Sequence, residues 1–136
     1  MRCSEQINEL AAALAKAQGE IAPAPKDSVN PHFKSRYADL ASIMDACRAP
    51  LSKHGLALIQ PVSLNGPAGT IRVTTRLLHA SGKWIEDELE MIPKDMSPQA
   101  LGSVITYGRR YGASAMLAIV SVDDDDGNAA QPKKTA

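Results

Sequence analysis

The chain has 136 residues, of which 44% are hydrophobic and 22% are charged. This composition is typical of one globular domain and excludes a chain that is disordered throughout. The two cysteines form no CxxC pair and no zinc spacing with the three histidines, so neither a disulfide nor a zinc scaffold is expected. There is no secretory pattern at the start and no apolar run of membrane-spanning length. We therefore expect a cytoplasmic protein that does not enter membranes.

The formal net charge is zero, with 15 basic and 15 acidic residues, which by itself argues against a nucleic-acid-binding protein. The charges are unevenly distributed, however. Nine of the acids lie in two blocks, 86–95 and 123–126, whereas residues 26–83 hold eight Lys or Arg against three Asp. The neutral total is therefore compatible with a locally basic surface.

Two helices are predicted before the first strand. Ser4 is a suitable N-cap, and apolar residues then recur at helical spacing until Gly19. Three prolines in the segment 21–33 prevent a long helix and predict a loop. A second amphipathic helix is expected from about Ala38, with Gly55 as its C-cap.

Three strand-like runs follow, at 56–63, 70–78 and 83–92, and predict neighbouring antiparallel strands. A three-residue hairpin loop with Gly82 in the left-handed conformation would set His79 opposite Lys83 and fix the register of the second hairpin. This register places apolar residues opposite each other on one face: Ile71, Val73 and Leu77 opposite Met91, Leu89 and Ile85.

The same register sets two strand arginines opposite glutamates on the other face. Arg72 lies opposite Glu90, and Arg76 lies opposite Glu86. The two arginines alone would suggest a nucleic-acid-binding stripe. With the glutamates opposite them, ion pairing is the favoured interpretation, and DNA contact is the alternative.

A long helix is predicted at the end, with Ser97 as N-cap, Pro98 at the first helical position and an end near Ile119. Its core-facing stripe is Leu101, Val104, Ile105, Gly108, Gly112, Ala115 and Ile119. The predicted fold is therefore α+β: two helices, a three-stranded antiparallel β-meander and a long packing helix. We expect one domain over residues 1–122, followed by an acidic and then polar disordered tail over 123–136.

The other side of this helix is a candidate DNA-binding surface. Its only charges are arginines, and its other side chains are hydroxyls, an amide and an aromatic ring, unlike the mixed Glu and Lys of an ordinary solvated face. Such groups can bind phosphates and stack on bases. The candidates are Gln99, Ser103, Thr106, Tyr107, Arg109 and Arg110. The alternative is packing against the N-terminal helices or a neighbouring subunit. Tyr111 is expected to point nearer the core.

A second candidate is the loop segment that follows Pro31. Lys34, Arg36 and Tyr37 interleave basic and aromatic side chains, a pattern suited to clamping a single strand. Phe33 belongs to the same run, and the equally favoured alternative is that it is a hydrophobic staple on the next helix.

At these residues the chain resembles the ERF (essential recombination function) family of single-strand annealing proteins of bacteriophages and prophages. The resemblance covers about residues 30–127 and rests on several spaced blocks taken together. The blocks are Asn30 and Pro31, Lys34 to Leu40, Pro50 and Leu51, Gly55 and Leu56, His79, Gly82, Gln99, Gly102, Ser103, Thr106, Tyr107, Arg110, Tyr111 and Asp124 to Gly127. Gly108 and Gly112 depart from the family, which more often has larger residues there.

The resemblance implies ATP-independent binding and annealing of complementary single-stranded DNA in homologous recombination. It implies a ring or filament homo-oligomer that is not an enzyme and needs no cofactor. It also implies a β-β-β-α core like that of the eukaryotic strand-annealing proteins, with DNA held between strands and helix. Expected partners, besides DNA, are a host single-strand-binding protein or a phage exonuclease.

Two other functions stay open. The run Asp123–Asp126 could hold magnesium in a metal-dependent nuclease, although catalytic carboxylates normally converge from separate elements and no general base accompanies these. The chain could also be an interaction module that joins recombination complexes without contacting DNA. An ATP-driven recombinase is not expected, because the sequence has no Gly-rich phosphate loop.

Overall fold

The computed structural model describes residues 1–26, 28–29, 36–64 and 69–121, with the backbone but not the side chain of Arg36. The fold is α+β, as predicted, with three helices and an antiparallel sheet. The helices are α1 (Asn8–Glu20), α2 (Leu40–Lys53) and α3 (Pro98–Leu117). The strands are β1 (Arg2–Cys3), β2 (Ser28–Val29), β3 (Arg36–Tyr37), β4 (Leu56–Ile59), β5 (Val62–Leu64), β6 (Ile71–His79) and β7 (Trp84–Met91). The expected tail at 123–136 lies outside the described residues.

The main sheet has the strand order β1-β7-β6-β4. β5 pairs with the first residues of β6, on the same edge of that strand as β4. β4 and β5 come from one predicted run that is interrupted at Gln60 and Pro61, where proline has no N–H to donate to a ladder. Every residue pair predicted for the hairpin of β6 and β7 is present. Gly82 has a φ of 88°, and the His79 N–H donates to the Lys83 carbonyl at 2.8 Å. The predicted register of this hairpin is confirmed.

The first residues join the sheet instead of capping α1. The Ser4 N–H donates to the Trp84 carbonyl at 2.9 Å, and Ser4 Oγ accepts from the Trp84 N–H, also at 2.9 Å. The predicted N-cap role of Ser4 is therefore wrong: α1 begins at Asn8, and Ile7 precedes it without a side-chain cap. A capping pattern describes only local sequence, so it cannot reveal a serine whose partner is 80 residues away.

One face of the sheet is covered by α3, and two glycines allow the close approach. A Cβ on Gly108 would lie 2.8 Å from Cγ2 of Val73. A Cβ on Gly112 would overlap Oγ1 of Thr75, a buried residue of β6. Larger residues at either position would push the helix away from the sheet.

The opposite face of the sheet carries the arginines and glutamates. Nη2 of Arg72 lies 2.7 Å from Oε1 of Glu90, and Nε of Arg76 lies 2.8 Å from Oε2 of Glu86. Arg2 on β1 also contacts Glu86, whose side chain is buried. The ion-pair interpretation of Arg72 and Arg76 is therefore confirmed.

The hydrophobic core combines all three helices with the covered face of the sheet. Its most completely buried large side chains are Leu10, Cys47, Val73, Leu77 and Leu117. A parallel bridge between Ala24 and Ser121 joins the segment after α1 to the segment after α3. Among the described residues, no helix has the length and apolar character needed to cross a membrane.

Candidate nucleic-acid interface

Most of the candidate residues lie on α3, and the start of this helix was predicted. Oγ of Ser97 accepts from the Ala100 N–H at 3.2 Å, which makes Ser97 the N-cap. Pro98 occupies the first helical position, where an N–H would have no partner within the helix. α3 then runs for 20 residues, so a single rigid element displays the side chains of its outer face.

An open groove of about 540 Å³ follows the outer side of the N-terminal half of α3. Its lining comprises Tyr37, Pro98, Gln99, Gly102, Ser103, Thr106, Tyr107 and Arg110, and we call it the Arg110 groove. Six of the nine predicted DNA-binding residues are therefore brought together here. None of the described lining residues is acidic.

Arg110 lies among three tyrosine rings. Its Cζ is 4.7 Å from the ring centroid of Tyr37, 4.9 Å from that of Tyr111 and 5.6 Å from that of Tyr107. These distances allow cation–π attraction, which holds a guanidinium in place without neutralising it. The ion pairs among the described residues do not include Arg110. The Asp39 carboxylate attracts Arg110 electrostatically without forming an ion pair with it, so the hydrogen-bond donors of the guanidinium remain available to an anion.

Tyr111, which contacts Arg110, lies elsewhere than the sequence predicted. It was expected near the core, but 47% of it is exposed, and its ring centroid lies 4.4 Å from that of Tyr107. Because α3 lies so close to the sheet at Gly112, a tyrosine ring has no room beneath the helix and lies at its side. The spacing of four residues between the tyrosines is the signal that could have revealed the pair. Ala115, also predicted to face the core, is exposed, whereas Ala113 and Leu117, which the predicted stripe did not include, are fully buried.

Arg109 does not reach the Arg110 groove. Its Nε donates to Oε1 of Gln60 at 3.4 Å, and its carbonyl accepts from Nε2 of Gln60 at 2.9 Å. Successive residues of a helix point about 100° apart, so Arg109 and Arg110 lie on different flanks of α3. Grouping the two arginines in one DNA-binding site is not supported by these contacts.

Tyr37 reaches the Arg110 groove from a short hairpin. It pairs with Ser28, whose Oγ donates to Oδ2 of Asp39 at 2.7 Å. Oδ1 of Asp39 accepts from the Ser42 N–H at 2.8 Å, so Asp39 is the N-cap of α2. These hydrogen bonds, first of all the one from the Ser28 hydroxyl, hold the pKa of Asp39 below its usual range. The carboxylate thereby joins the hairpin to α2 and positions Tyr37 beside Arg110.

The other candidates lie outside the described residues. Lys34, Phe33 and the run Asp123–Asp126 fall in undescribed segments, and Arg36 contributes only its backbone, which pairs with Val29. Within the described ranges, no cluster of three or more His, Cys, Asp or Glu residues could hold a metal ion.

Comparison with known proteins gives one match. The family model described as the ERF superfamily matches residues 10–136, which is nearly the whole chain. Neither the search of curated proteins nor the search of solved structures found a match.

Proposed function

The chain belongs to the ERF superfamily, a family of phage recombination proteins, and we propose that it binds single-stranded DNA in the Arg110 groove and anneals complementary strands without ATP. The observation that carries the proposal is the guanidinium of Arg110, which forms no ion pair among the described residues and is held between tyrosine rings beside a row of hydroxyl groups. Family membership supports the annealing role, and the chemistry of the groove supports its location.

The Arg110 groove offers both kinds of contact that a single strand requires. The guanidinium of Arg110 and the hydroxyls of Ser103 and Thr106 can donate hydrogen bonds to phosphate oxygens. Tyr107 is 51% exposed and offers a ring face on which any base can stack. Contacts to the sugar-phosphate backbone and to the faces of the bases do not depend on the DNA sequence. An annealing protein requires this independence.

Binding and releasing strands in this way needs no nucleotide hydrolysis and no cofactor. The protein would act as a ring or filament of identical subunits that presents successive grooves along a strand. A host single-strand-binding protein or a phage exonuclease is the expected supplier of that strand. The oligomer and the partner proteins are part of what we propose, and membership of the family supports them.

The test mixes two labelled complementary oligonucleotides with the protein, without nucleotide, in the presence and absence of magnesium. The wild type should accelerate duplex formation under both conditions. Arg110→Ala should slow annealing and weaken single-strand binding, with the logarithmic salt slope reduced by about 0.7 if one phosphate contact is lost.

Arg72→Ala is the matched control, because it removes the same charge from an arginine that is paired with Glu90 on the open face of the sheet. Its affinity and salt slope should equal those of the wild type. Equal losses in both variants, or no acceleration by the wild type, would contradict the proposal. Loss of strands only with magnesium would instead support the nuclease.

A further inference from the structure

The described arginines divide into two groups according to their partners. One group pairs with glutamates on the open face of the sheet: Arg2, Arg72 and Arg76. The other group forms no ion pair within the described part of the chain: Arg48, Arg109 and Arg110. Guanidinium groups without a carboxylate partner are the ones that can bind phosphate. The Arg110 groove uses one of the three, which leaves Arg48 and Arg109.

Arg48 and Arg109 line a second groove, of about 320 Å³, between α2, α3 and β4. We call it the Arg109 groove. Arg48 is exposed on α2, and Arg109 is half-buried on α3. None of the described residues that line this groove is acidic, and it shares none of them with the Arg110 groove. Consecutive residues of α3 thus contribute a guanidinium to two separate grooves.

Gln60 holds Arg109 in this groove without neutralising it. Its Nε2 donates to the carbonyl of Arg109 at 2.9 Å and to Oγ1 of Thr75 at 3.0 Å, so the amide is fixed between helix and sheet. Its Oε1 then accepts from Nε of Arg109 at 3.4 Å. A guanidinium has five N–H donors, and this contact uses one of them. No other described group accepts from this guanidinium, so its remaining donors can face an anion.

We propose that the Arg109 groove binds the phosphate backbone of a second single strand, while the Arg110 groove holds the first. This inference rests on the proposed annealing function. The two strands would lie on either side of α3, about one helix diameter apart, or roughly 10 Å. Such proximity would raise the local concentration of one strand around the other, which is what pairing of complementary sequences requires.

The apolar part of the lining is consistent with this occupant. Met44, Leu51 and Leu58 lie in the same groove and can contact sugars and base faces. An apolar peptide would fit these side chains equally well, but it would leave two unpaired guanidinium groups without a partner. The charge of Arg48 and Arg109 therefore favours an anionic occupant such as nucleic acid over an apolar peptide.

The test separates binding of the first strand from capture of the second. The wild type, a double variant Arg48→Ala with Arg109→Ala, and Arg110→Ala are each saturated with one labelled oligothymidine. A second oligothymidine with a different label is then added, and energy transfer between the labels reports its capture. Annealing rates are measured in parallel with complementary oligonucleotides.

The double variant should bind the first strand within about twofold of the wild type. Its capture of the second strand and its annealing rate should fall at least about tenfold, and the salt slope of capture should fall by about 1.4 for two lost phosphate contacts. Arg48→Glu provides a second variant, because this exposed side chain makes no hydrogen bond or ion pair in the described structure, and its reversed charge should give the same pattern. Replacing both arginines by lysine should restore most of the capture.

Equal loss of first-strand and second-strand binding would mean that one strand occupies both grooves, and the proposal would fail. Unchanged capture in the double variant and in Arg48→Glu would also overturn it. Failure of the proposed function looks different, because Arg110→Ala would then bind the first strand as the wild type does. The thermal midpoint of each variant shows whether a loss reflects unfolding.

Discussion

A guanidinium that stacks on a tyrosine ring keeps its hydrogen-bond donors, whereas one that pairs with a carboxylate uses them. Arg110 and Arg72 show this difference within one small protein. The sequence predicted that Arg72 pairs with Glu90, because the strand register placed them opposite each other, and that Arg110 lies on a helix face without acids. It did not predict that Arg110 stacks on tyrosine rings. It did not predict the direction of Arg109, since helical spacing gives an angle around the axis but not the neighbour found at that angle.

Asp39 is the residue whose titration should be visible in the stability of the protein. Asp39→Ala should lower the free energy of unfolding by about 0.5–2 kcal/mol at pH 7, because the N-cap of α2 is lost. The folded pKa of Asp39 lies below the unfolded value of about 3.9. Its stabilisation is therefore present above that value and is lost as the pH falls through the folded pKa. Urea unfolding should show the difference from wild type shrinking below about pH 4.

Asp45→Ala is the matched control on the same helix, where the side chain is exposed and caps nothing. This variant should differ little from the wild type at either pH. A difference between wild type and Asp39→Ala that stays constant down to pH 2.5 would show that the carboxylate does not act through its charge.

The elements with a regular pattern were predictable, and those without one were not. The hairpin of β6 and β7 followed from a two-residue period and one glycine turn, and the start of α3 followed from its cap. β1 has only two residues, and its partner strand begins more than 80 positions later. No local pattern could indicate such a pairing.

The glycines of α3 should respond oppositely to alanine substitution. Gly112→Ala should destabilise the protein by about 1–3 kcal/mol, because the new Cβ would displace Thr75 and its hydrogen bond with Gln60. Gly102→Ala meets nothing within 4 Å and should stabilise the helix by about 0.5–1 kcal/mol. Urea unfolding of both variants provides the measurement. A gain in stability at both positions would show that α3 is not pressed against β6.

At the scale of the whole molecule, a zero net charge conceals a separation of charges. The open face of the sheet balances its own arginines with glutamates, while acidic residues are absent from the described lining of both α3 grooves. The total charge of the chain therefore underestimates the capacity of these grooves to bind nucleic acid. Summation over the sequence cannot show this separation, because it depends on which elements the fold brings together.

Removing residues 1–4 should weaken the whole sheet rather than its edge alone. The hydrogen bonds between Ser4 and Trp84 would be lost, and the buried Glu86 would lose its contact with Arg2. If these losses sum to about 2 kcal/mol, the thermal midpoint should fall by roughly 5–10 °C. Light scattering should also increase, since the uncovered edge of β7 can pair with other chains.

Ser4→Ala keeps β1 and provides the control, with a smaller fall in the midpoint and no added scattering. An unchanged midpoint after removal of residues 1–4 would show that β1 contributes nothing to the fold.

The close contact of α3 with the sheet also affects the entropy of binding. At Gly108 and Gly112 the helix has no side chain of its own between its backbone and β6, and Gln60 bonds both to the backbone of α3 and to Thr75. The helix cannot shift or tilt without breaking these contacts, so the groups on its outer face hold the same positions before and after a ligand arrives. The protein then gives up little conformational freedom on binding, and the cost of ordering falls mainly on the flexible single strand.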